Sequence, residues 1–267
     1  MKPTLLSRAA IALSLLTVAA SASAQNKEYE PTPGQAGKDV VWVPTPQVLV
    51  EKMLDMAKVT PQDYVMDLGS GDGRNIIAAA KRGATAVGVE FNPEMVALSR
   101  RRAKEAGVAD KATFVEGDMF EADISKATVL ALFLLPGNLD KLAPKFLSLK
   151  PGTRIALNTF TVTGWDSDAT EEVGDGCTSW CTAHLVIVPA RVAGTWRVGN
   201  EDLTLTQEFQ KVNGTFGSTP ISEGRLQGDQ ITFKVGNTQY SGRVSADRID
   251  GTTITGSSTG KWSATKR

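Results

Sequence analysis

The feature that most constrains the fold is the stretch from Tyr64 to Arg74, which reads YVMDLGSGDGR. Its first five residues form a short, mostly apolar run of the kind that a parallel sheet buries on both faces. Glycines then occupy alternate positions from 69 to 73, where a missing Cβ lets the backbone turn sharply and approach a ligand closely. Residues 74–82 are mostly good helix formers and are followed by Gly83, a typical residue at a helix end. The sequence therefore predicts a strand, a glycine turn and a helix whose N-terminal amides face a ligand.

The glycine spacing separates two cofactor classes that use such a turn. A dinucleotide fingerprint has a third glycine that packs the helix onto the strand, and here it would fall at position 74 or 76, neither of which is glycine. The observed pattern is Asp67 followed by Gly69, Gly71 and Gly73. It resembles motif I of class I S-adenosylmethionine-dependent methyltransferases, which implies that these four residues bind that cofactor. A plain turn that only joins strand to helix is the alternative.

Two further acids stand at the ends of the next apolar runs. Glu90 ends the run from residue 84, and a carboxylate there has two acceptor oxygens for a ribose diol. Asp118 ends the run from residue 113, and in the methyltransferases that this chain resembles, that acid accepts a hydrogen bond from the adenine amino group. Three acids in order at three strand ends favour cofactor binding over isolated solvated carboxylates.

The resemblance becomes closer over residues 41–165. Four segments in order resemble a family of lysine methyltransferases whose mitochondrial members modify the c subunit of ATP synthase and the adenine nucleotide translocase. By that resemblance Thr45 lies beside the cofactor, although Thr45 before Pro46 is equally suited to be a helix cap. The four segments are 43–46, 67–74, 134–136 and 150–154.

Apolar runs alternate with helical patterns through the middle of the chain, which predicts an α/β fold with a doubly wound, Rossmann-like, mostly parallel sheet. Residues 41–190 would form this methyltransferase domain. The predicted helices include one capped by Asn92 and one that Asn138 caps and Pro144 interrupts. His184 to Val188 is the last predicted strand.

The N-terminus has the pattern of a secretory signal peptide. Lys2 and Arg8 precede an apolar run too short to span a bilayer, and Ala22-Ser23-Ala24 forms a cleavage site. We expect residues 1–24 to be removed, residues 25–40 to be a flexible lead-in, and the mature protein to be periplasmic or extracellular without a stable membrane span. An uncleaved anchor is the alternative.

The charge balance and the cysteine content bear on the possible partners and on metal binding. The chain has 29 basic and 29 acidic residues, so nothing indicates a nucleic-acid partner. Cys177 and Cys181 are the only cysteines, and a local disulfide suits an oxidising compartment. Zinc bound by both cysteines and His184 is the weaker alternative, because no fourth ligand is evident. We therefore expect no metal.

The pattern changes from residue 191 onward. Residues 191–267 hold 11 of the 25 glycines, and apolar residues alternate with polar ones between short hairpin turns. A GRL segment at 224–226 recurs as GRV at 242–244. We expect a small antiparallel all-β domain, a meander or open barrel that closes on itself, with a stabilising role.

Methyl transfer needs orientation and a dry site rather than a metal or covalent nucleophile. No residue is assigned as catalytic. We expect the acceptor pocket beyond the fourth strand, near Phe133, Leu135 and Pro136, with Trp42 or Trp165 as walls. The favoured acceptor is protein lysine; a small molecule, or an exported binding protein without turnover, are the alternatives.

Overall fold

The computed structural model describes residues 28–267. The predicted signal peptide, residues 1–24, lies outside this range, as do the first residues of the lead-in. Among the helices of the described part, none combines the length and apolarity needed to cross a bilayer.

Seven strands form one mixed sheet in the order β3-β2-β1-β4-β5-β7-β6. The first five strands are parallel, and β7 pairs antiparallel with both β5 and β6. This confirms the predicted doubly wound, mostly parallel sheet. The sequence prediction missed β6, whose four residues are all exposed and carry no apolar pattern. The strands are β1 Tyr64–Leu68, β2 Thr85–Glu90, β3 Ala112–Glu116, β4 Val129–Leu132, β5 Arg154–Asn158, β6 Ala169–Glu172 and β7 Thr182–Ile187.

Four helices cover the two faces of this sheet: α1 Gln47–Met56, α2 Arg74–Lys81, α3 Pro93–Glu105 and α4 Pro136–Phe146. Alternate residues of the strands face opposite sides, as Val129 and Leu130 of β4 do. Val129 shares a buried cluster with α1, α2 and α3, whereas Leu130 shares one with α4. Strand β4 is apolar throughout because both of its faces are buried.

The predicted helix starts were right once and wrong twice. Asn92 caps α3 as expected, its side chain accepting from the Glu94 amide at 2.9 Å. Thr45 does not cap α1, because the helix begins one residue later after Pro46. Asn138 lies inside α4, whose first residue is Pro136, so its predicted capping role is wrong. Pro144 does not interrupt α4, which continues to Phe146.

The C-terminal region is a closed, eight-stranded antiparallel barrel in which each strand pairs with its neighbours in sequence and β15 returns to β8. The sequence predicted the antiparallel strands and the closure. Its strands are β8 Gly194–Val198, β9 Glu201–Glu208, β10 Lys211–Phe216, β11 Thr219–Gln227, β12 Gln230–Val235, β13 Thr238–Ser245, β14 Arg248–Thr255 and β15 Ser258–Lys266.

Aromatic side chains fill the barrel interior. Trp196 is fully buried, and Phe233 meets Trp262 edge to face with ring centroids 5.6 Å apart. Gly251 makes room for this packing, since a Cβ there would lie 2.7 Å from the Trp262 Nε1 atom and 1.9 Å from the Ser241 carbonyl oxygen. The barrel therefore has a core of its own.

Candidate active site

The glycine turn lies between β1 and α2, as the sequence predicted. Gly69, Gly71 and Gly73 all have positive φ, at 79°, 52° and 81°, a region that side chains disfavour. The Trp42 indole packs directly on this turn, because a Cβ on Gly71 would stand 2.6 Å from its Nε1 atom. Glycine at 71 is thus required both by the backbone and by the tryptophan above it.

Asp67 is buried at the end of β1, with 3% of its surface exposed. Its Oδ2 atom accepts from Asn75 Nδ2 of α2 at 3.0 Å, and the same amide reaches the Ala131 carbonyl at 3.2 Å. Burial raises the pKa of Asp67 to about 8; the Asn75 hydrogen bond opposes this, and Glu90 adds repulsion. The hydrogen bonds of Asn75 therefore link β1, α2 and β4 beside Asp67.

Glu90 stands at the end of β2 and faces the turn. Its Oε2 atom accepts from the Gly71 amide at 2.8 Å and its Oε1 atom from the Asn92 amide at 2.9 Å. Each carboxylate oxygen has two acceptor sites, so one remains on each oxygen for a diol. The amides hold the carboxylate in one orientation.

Asp118 follows β3 and forms an ion pair with Lys38. It also accepts from the Phe120 amide at 2.8 Å, and the Lys38 contact and this amide hold the pKa of Asp118 below its usual value. Lys38 belongs to the predicted lead-in. In the same segment the Gly34 amide donates to the Trp42 carbonyl at 2.8 Å. The described part of the lead-in is therefore packed against the domain.

A cavity of about 200 Å³ opens at the carboxyl ends of these strands. Of the seven predicted cofactor residues, Gly69, Glu90 and Asp118 line it. The other four, Thr45, Asp67, Gly71 and Gly73, are not among the lining residues. Thr45 is buried, and its hydroxyl accepts from Asn158 Nδ2 at 3.3 Å. Their roles toward a cofactor stay predictions.

The predicted acceptor residues divide between the cavity and elsewhere. Phe133 and Leu135 line the cavity, and so does Trp42. Pro136 does not line it but begins α4, where its fixed φ suits a first helical position. Trp165 is also outside the cavity; it is 2% exposed and stacks on Phe209 at 4.9 Å between ring centroids.

Two aromatic residues that the sequence analysis missed complete the wall. Phe160 and Trp180 line the cavity beside Phe133. A signal existed for Phe160, which follows β5 closely at the same sheet edge as the predicted acids. Trp180 had a weaker signal, its position between the two cysteines.

The cysteines form the disulfide Cys177–Cys181, with sulfurs 2.01 Å apart. Because both sulfurs are bonded to each other, the zinc alternative is wrong. His184 instead places Nδ1 at 3.0 Å from the Thr170 hydroxyl and 3.2 Å from that of Ser167. Within residues 28–267 no cluster of three or more histidine, cysteine or acidic side chains is arranged to hold a metal ion.

Comparison with known proteins places this site in a family. The family model described as the ANTKMT methyltransferase domain matches residues 67–169. A protein-lysine N-methyltransferase of Saccharolobus islandicus is 45% identical over 140 residues, which are 51% of this chain and 87% of that protein. The chain belongs to the ANTKMT methyltransferase family.

Other relatives of this methyltransferase carry different names. The ATP synthase c-subunit lysine N-methyltransferase of Mus musculus is 36% identical over 136 residues, 51% of this chain and 54% of that protein. The chain thus spans about half the length of this relative. A crystal structure titled as an RNA methyltransferase from Salinibacter ruber, in complex with S-adenosyl-L-homocysteine, is 43% identical, with a TM-score of 0.53 over 56% of this chain and 96% of that one.

The cofactor of this methyltransferase is S-adenosylmethionine, and the residues present fit it. Adenosine offers a ribose diol and an exocyclic amine, both hydrogen-bond donors, and the cavity presents two carboxylates, Glu90 and Asp118. The backbone at Gly69 is open to the same cavity without a Cβ. The donor and acceptor chemistry of the cavity therefore agrees with the family.

Proposed function

We propose that this methyltransferase modifies the ε-amino group of lysine side chains in a protein. One observation carries the proposal: the carboxylates of Glu90 and Asp118 share a single cavity with an aromatic wall formed by Phe133 and Phe160. The two carboxylates suit the adenosine part of the cofactor, and the aromatic wall suits an aliphatic side chain. The names of the S. islandicus and M. musculus relatives, both lysine N-methyltransferases, support the choice of acceptor.

The residues of the chain would act mainly by binding and orientation. Glu90 would hold the ribose hydroxyls, Asp118 would hold the adenine amine, and the backbone at Gly69 would pass close to the cofactor. When bound, S-adenosylmethionine would supply the methyl group that the lone pair of the acceptor nitrogen takes from sulfur, with S-adenosylhomocysteine as the product. Alignment of this kind is worth up to about 7–11 kcal/mol in favourable systems.

The acceptor amine must be neutral to attack, so its proton must leave before transfer. Loss of water around the amine inside the cavity would lower its pKa and so favour the neutral form. No residue of the described part is assigned as a base, and the proton would pass to solvent at the cavity mouth.

We also propose that the enzyme acts outside the cytoplasm. The basic lead, short apolar run and Ala22-Ser23-Ala24 site support export. The Cys177–Cys181 disulfide supports it independently, since such bonds persist in oxidising compartments. Its acceptor would then be an exported or envelope protein.

The test uses protein beginning at Gln25, incubated with methyl-labelled S-adenosylmethionine and, in separate reactions, envelope proteins, small amines or RNA. Label recovered as methyl-lysine after acid hydrolysis supports the proposal, and a Glu90→Gln variant should lose it. Label found only in small amines would instead support the small-molecule alternative. Cofactor binding without any transfer would support the binding-protein alternative, and label in RNA would overturn the acceptor class.

A further inference from the structure

We propose that Phe133, Phe160 and Trp180 form an aromatic pocket for the methylated ammonium group of the acceptor, and that the Cys177–Cys181 disulfide positions Trp180 in it. The inference rests on the proposed function and names the residues that set acceptor specificity. We call these three residues the aromatic pocket.

The three rings contact one another at one end of the cavity. The ring centroids of Phe160 and Trp180 are 5.5 Å apart, and those of Phe133 and Trp180 are 6.0 Å apart. Both of these pairs are tilted by about 50°, whereas Phe133 and Phe160 are nearly parallel at 6.3 Å. Rings from three chain segments therefore form one cluster that lines the cavity.

Trp180 is one of seven exposed large apolar residues of the described part, with 42% of its surface exposed. Its backbone has a left-handed φ of 59°, which is uncommon for a bulky residue. The ring nevertheless lines the cavity that also holds Glu90 and Asp118. Part of the indole is therefore open to a ligand in the cavity.

The disulfide supplies the constraint on this residue. Trp180 precedes Cys181 directly, and the bond back to Cys177 closes a loop over a sequence separation of four. The loop is anchored at both sides: Gly176 lies against Val48 of α1, and the Val173 amide donates to the Cys181 carbonyl at 2.9 Å. Opening the disulfide would free the backbone of Trp180.

This loop lies outside the family match, which covers residues 67–169. Phe133 and Phe160 are inside the match, whereas Trp180 and both cysteines follow it. The third ring of the aromatic pocket is therefore contributed by a loop that the family model does not match. That location suits a residue that sets specificity rather than the common chemistry.

Aromatic faces bind cations through their negative potential, and a methylated ammonium is favoured because its methyl groups weaken its hydration. A trimethylammonium group has no N–H donor, so it needs no acceptor atom from the pocket. After each transfer the acceptor nitrogen is positively charged, and the aromatic pocket would retain it until a proton is lost and the next transfer follows. We therefore expect more than one methyl group per lysine.

The experiment uses calorimetric titration of protein from Gln25, saturated with S-adenosylhomocysteine, with the N-acetyl amide of Nε-trimethyl-lysine. We expect saturable binding, at least about tenfold weaker for the neutral analogue in which carbon replaces the nitrogen. Trp180→Ala should weaken binding by about tenfold and Trp180→Phe by only a few fold. Thr178→Ala, an exposed change in the same loop, is the matched control and should bind like the parent protein.

The disulfide is tested with Cys177→Ser/Cys181→Ser and, in case that variant folds poorly, with the parent protein after reduction. Both should bind trimethyl-lysine several-fold more weakly while their affinity for S-adenosylhomocysteine stays unchanged. Equal trimethyl-lysine affinity in Trp180→Ala and the parent protein would overturn the pocket, and equal affinity after reduction would overturn the role of the disulfide. Failure to bind S-adenosylhomocysteine would instead overturn the proposed function, so the two failures are distinguishable.

Discussion

Lys38 and Asp118 form an ion pair at the end of the cavity where β3 stops, and the same Lys38 ammonium lies 4.8 Å from the centre of the Phe91 ring. The lysine therefore occupies an oxygen of the carboxylate that the family resemblance assigns to the adenine amine. A segment that precedes the methyltransferase domain thus reaches one end of its site.

We expect Lys38→Met to bind S-adenosylmethionine about two- to fivefold more tightly, because the adenine amine no longer competes with the ammonium for Asp118. Calorimetric titration measures the change. Lys52→Met is the matched control, since Lys52 forms a similar exposed pair with Glu171 at 2.7 Å, away from the cavity. Weaker binding in Lys38→Met would mean that the lysine helps to hold the cofactor.

Glu90→Gln should weaken S-adenosylhomocysteine binding by about tenfold or more, because one of the two oxygens that face the diol becomes a donor. Glu116→Gln is the control, since Glu116 is the register partner of Glu90 on β3 but is exposed and outside the cavity. Both variants should keep the parent circular dichroism spectrum. Equal affinities for Glu90→Gln and the parent protein would refute the ribose assignment.

Asp67 should make the protein less stable as the pH rises from about 4 to about 8. Its pKa is raised to about 8 in the folded state, so the folded protein binds a proton that the unfolded chain has already released. The contribution is at most about 1.4 kcal/mol per pH unit. Denaturant unfolding of the parent protein and Asp67→Asn across this range should show that the variant lacks this loss. Parallel pH profiles would contradict the buried, protonated Asp67.

A substitution of Trp165 tests whether this residue stabilises the junction with the barrel or lines the acceptor pocket. Trp165→Ala should lower the free energy of unfolding by about 3–5 kcal/mol, because a buried indole and its stack on Phe209 are lost. Affinity for trimethyl-lysine should not change, in contrast to Trp180→Ala. A loss of that affinity with unchanged stability would restore Trp165 to the acceptor wall.

Much of the fold was predictable because its signals are local. Apolar runs gave the positions of the central strands, and alternation gave the barrel. The predicted helix starts were wrong at Thr45 and Asn138. The first helix begins only after Pro46, and Pro136 rather than a residue after Asn138 is the first residue of α4. The sequence analysis did not predict the exposed strand β6, because its pairing with β7 and not its composition holds it in the sheet.

The site residues also divide into those with a local sequence signal and those without one. Gly69, Glu90 and Asp118 follow from strand ends, since parallel strands bring their carboxyl ends to one edge. The acceptor end depends on long-range packing: Trp165 faces Phe209 of the barrel, whereas Trp180 reaches the cavity through a loop far along the chain. No periodicity distinguishes these two tryptophans, so sequence reasoning placed Trp165 at the cavity and missed Trp180.

The pairing of β8 with β15 has a further consequence for how this protein is built. Because the first and last strands of the barrel are neighbours, the chain enters and leaves the barrel on adjacent strands. Closure of this kind leaves the barrel without a free sheet edge on which another chain could add a strand. Contacts such as the stack of Trp165 on Phe209 hold the closed barrel against the methyltransferase domain.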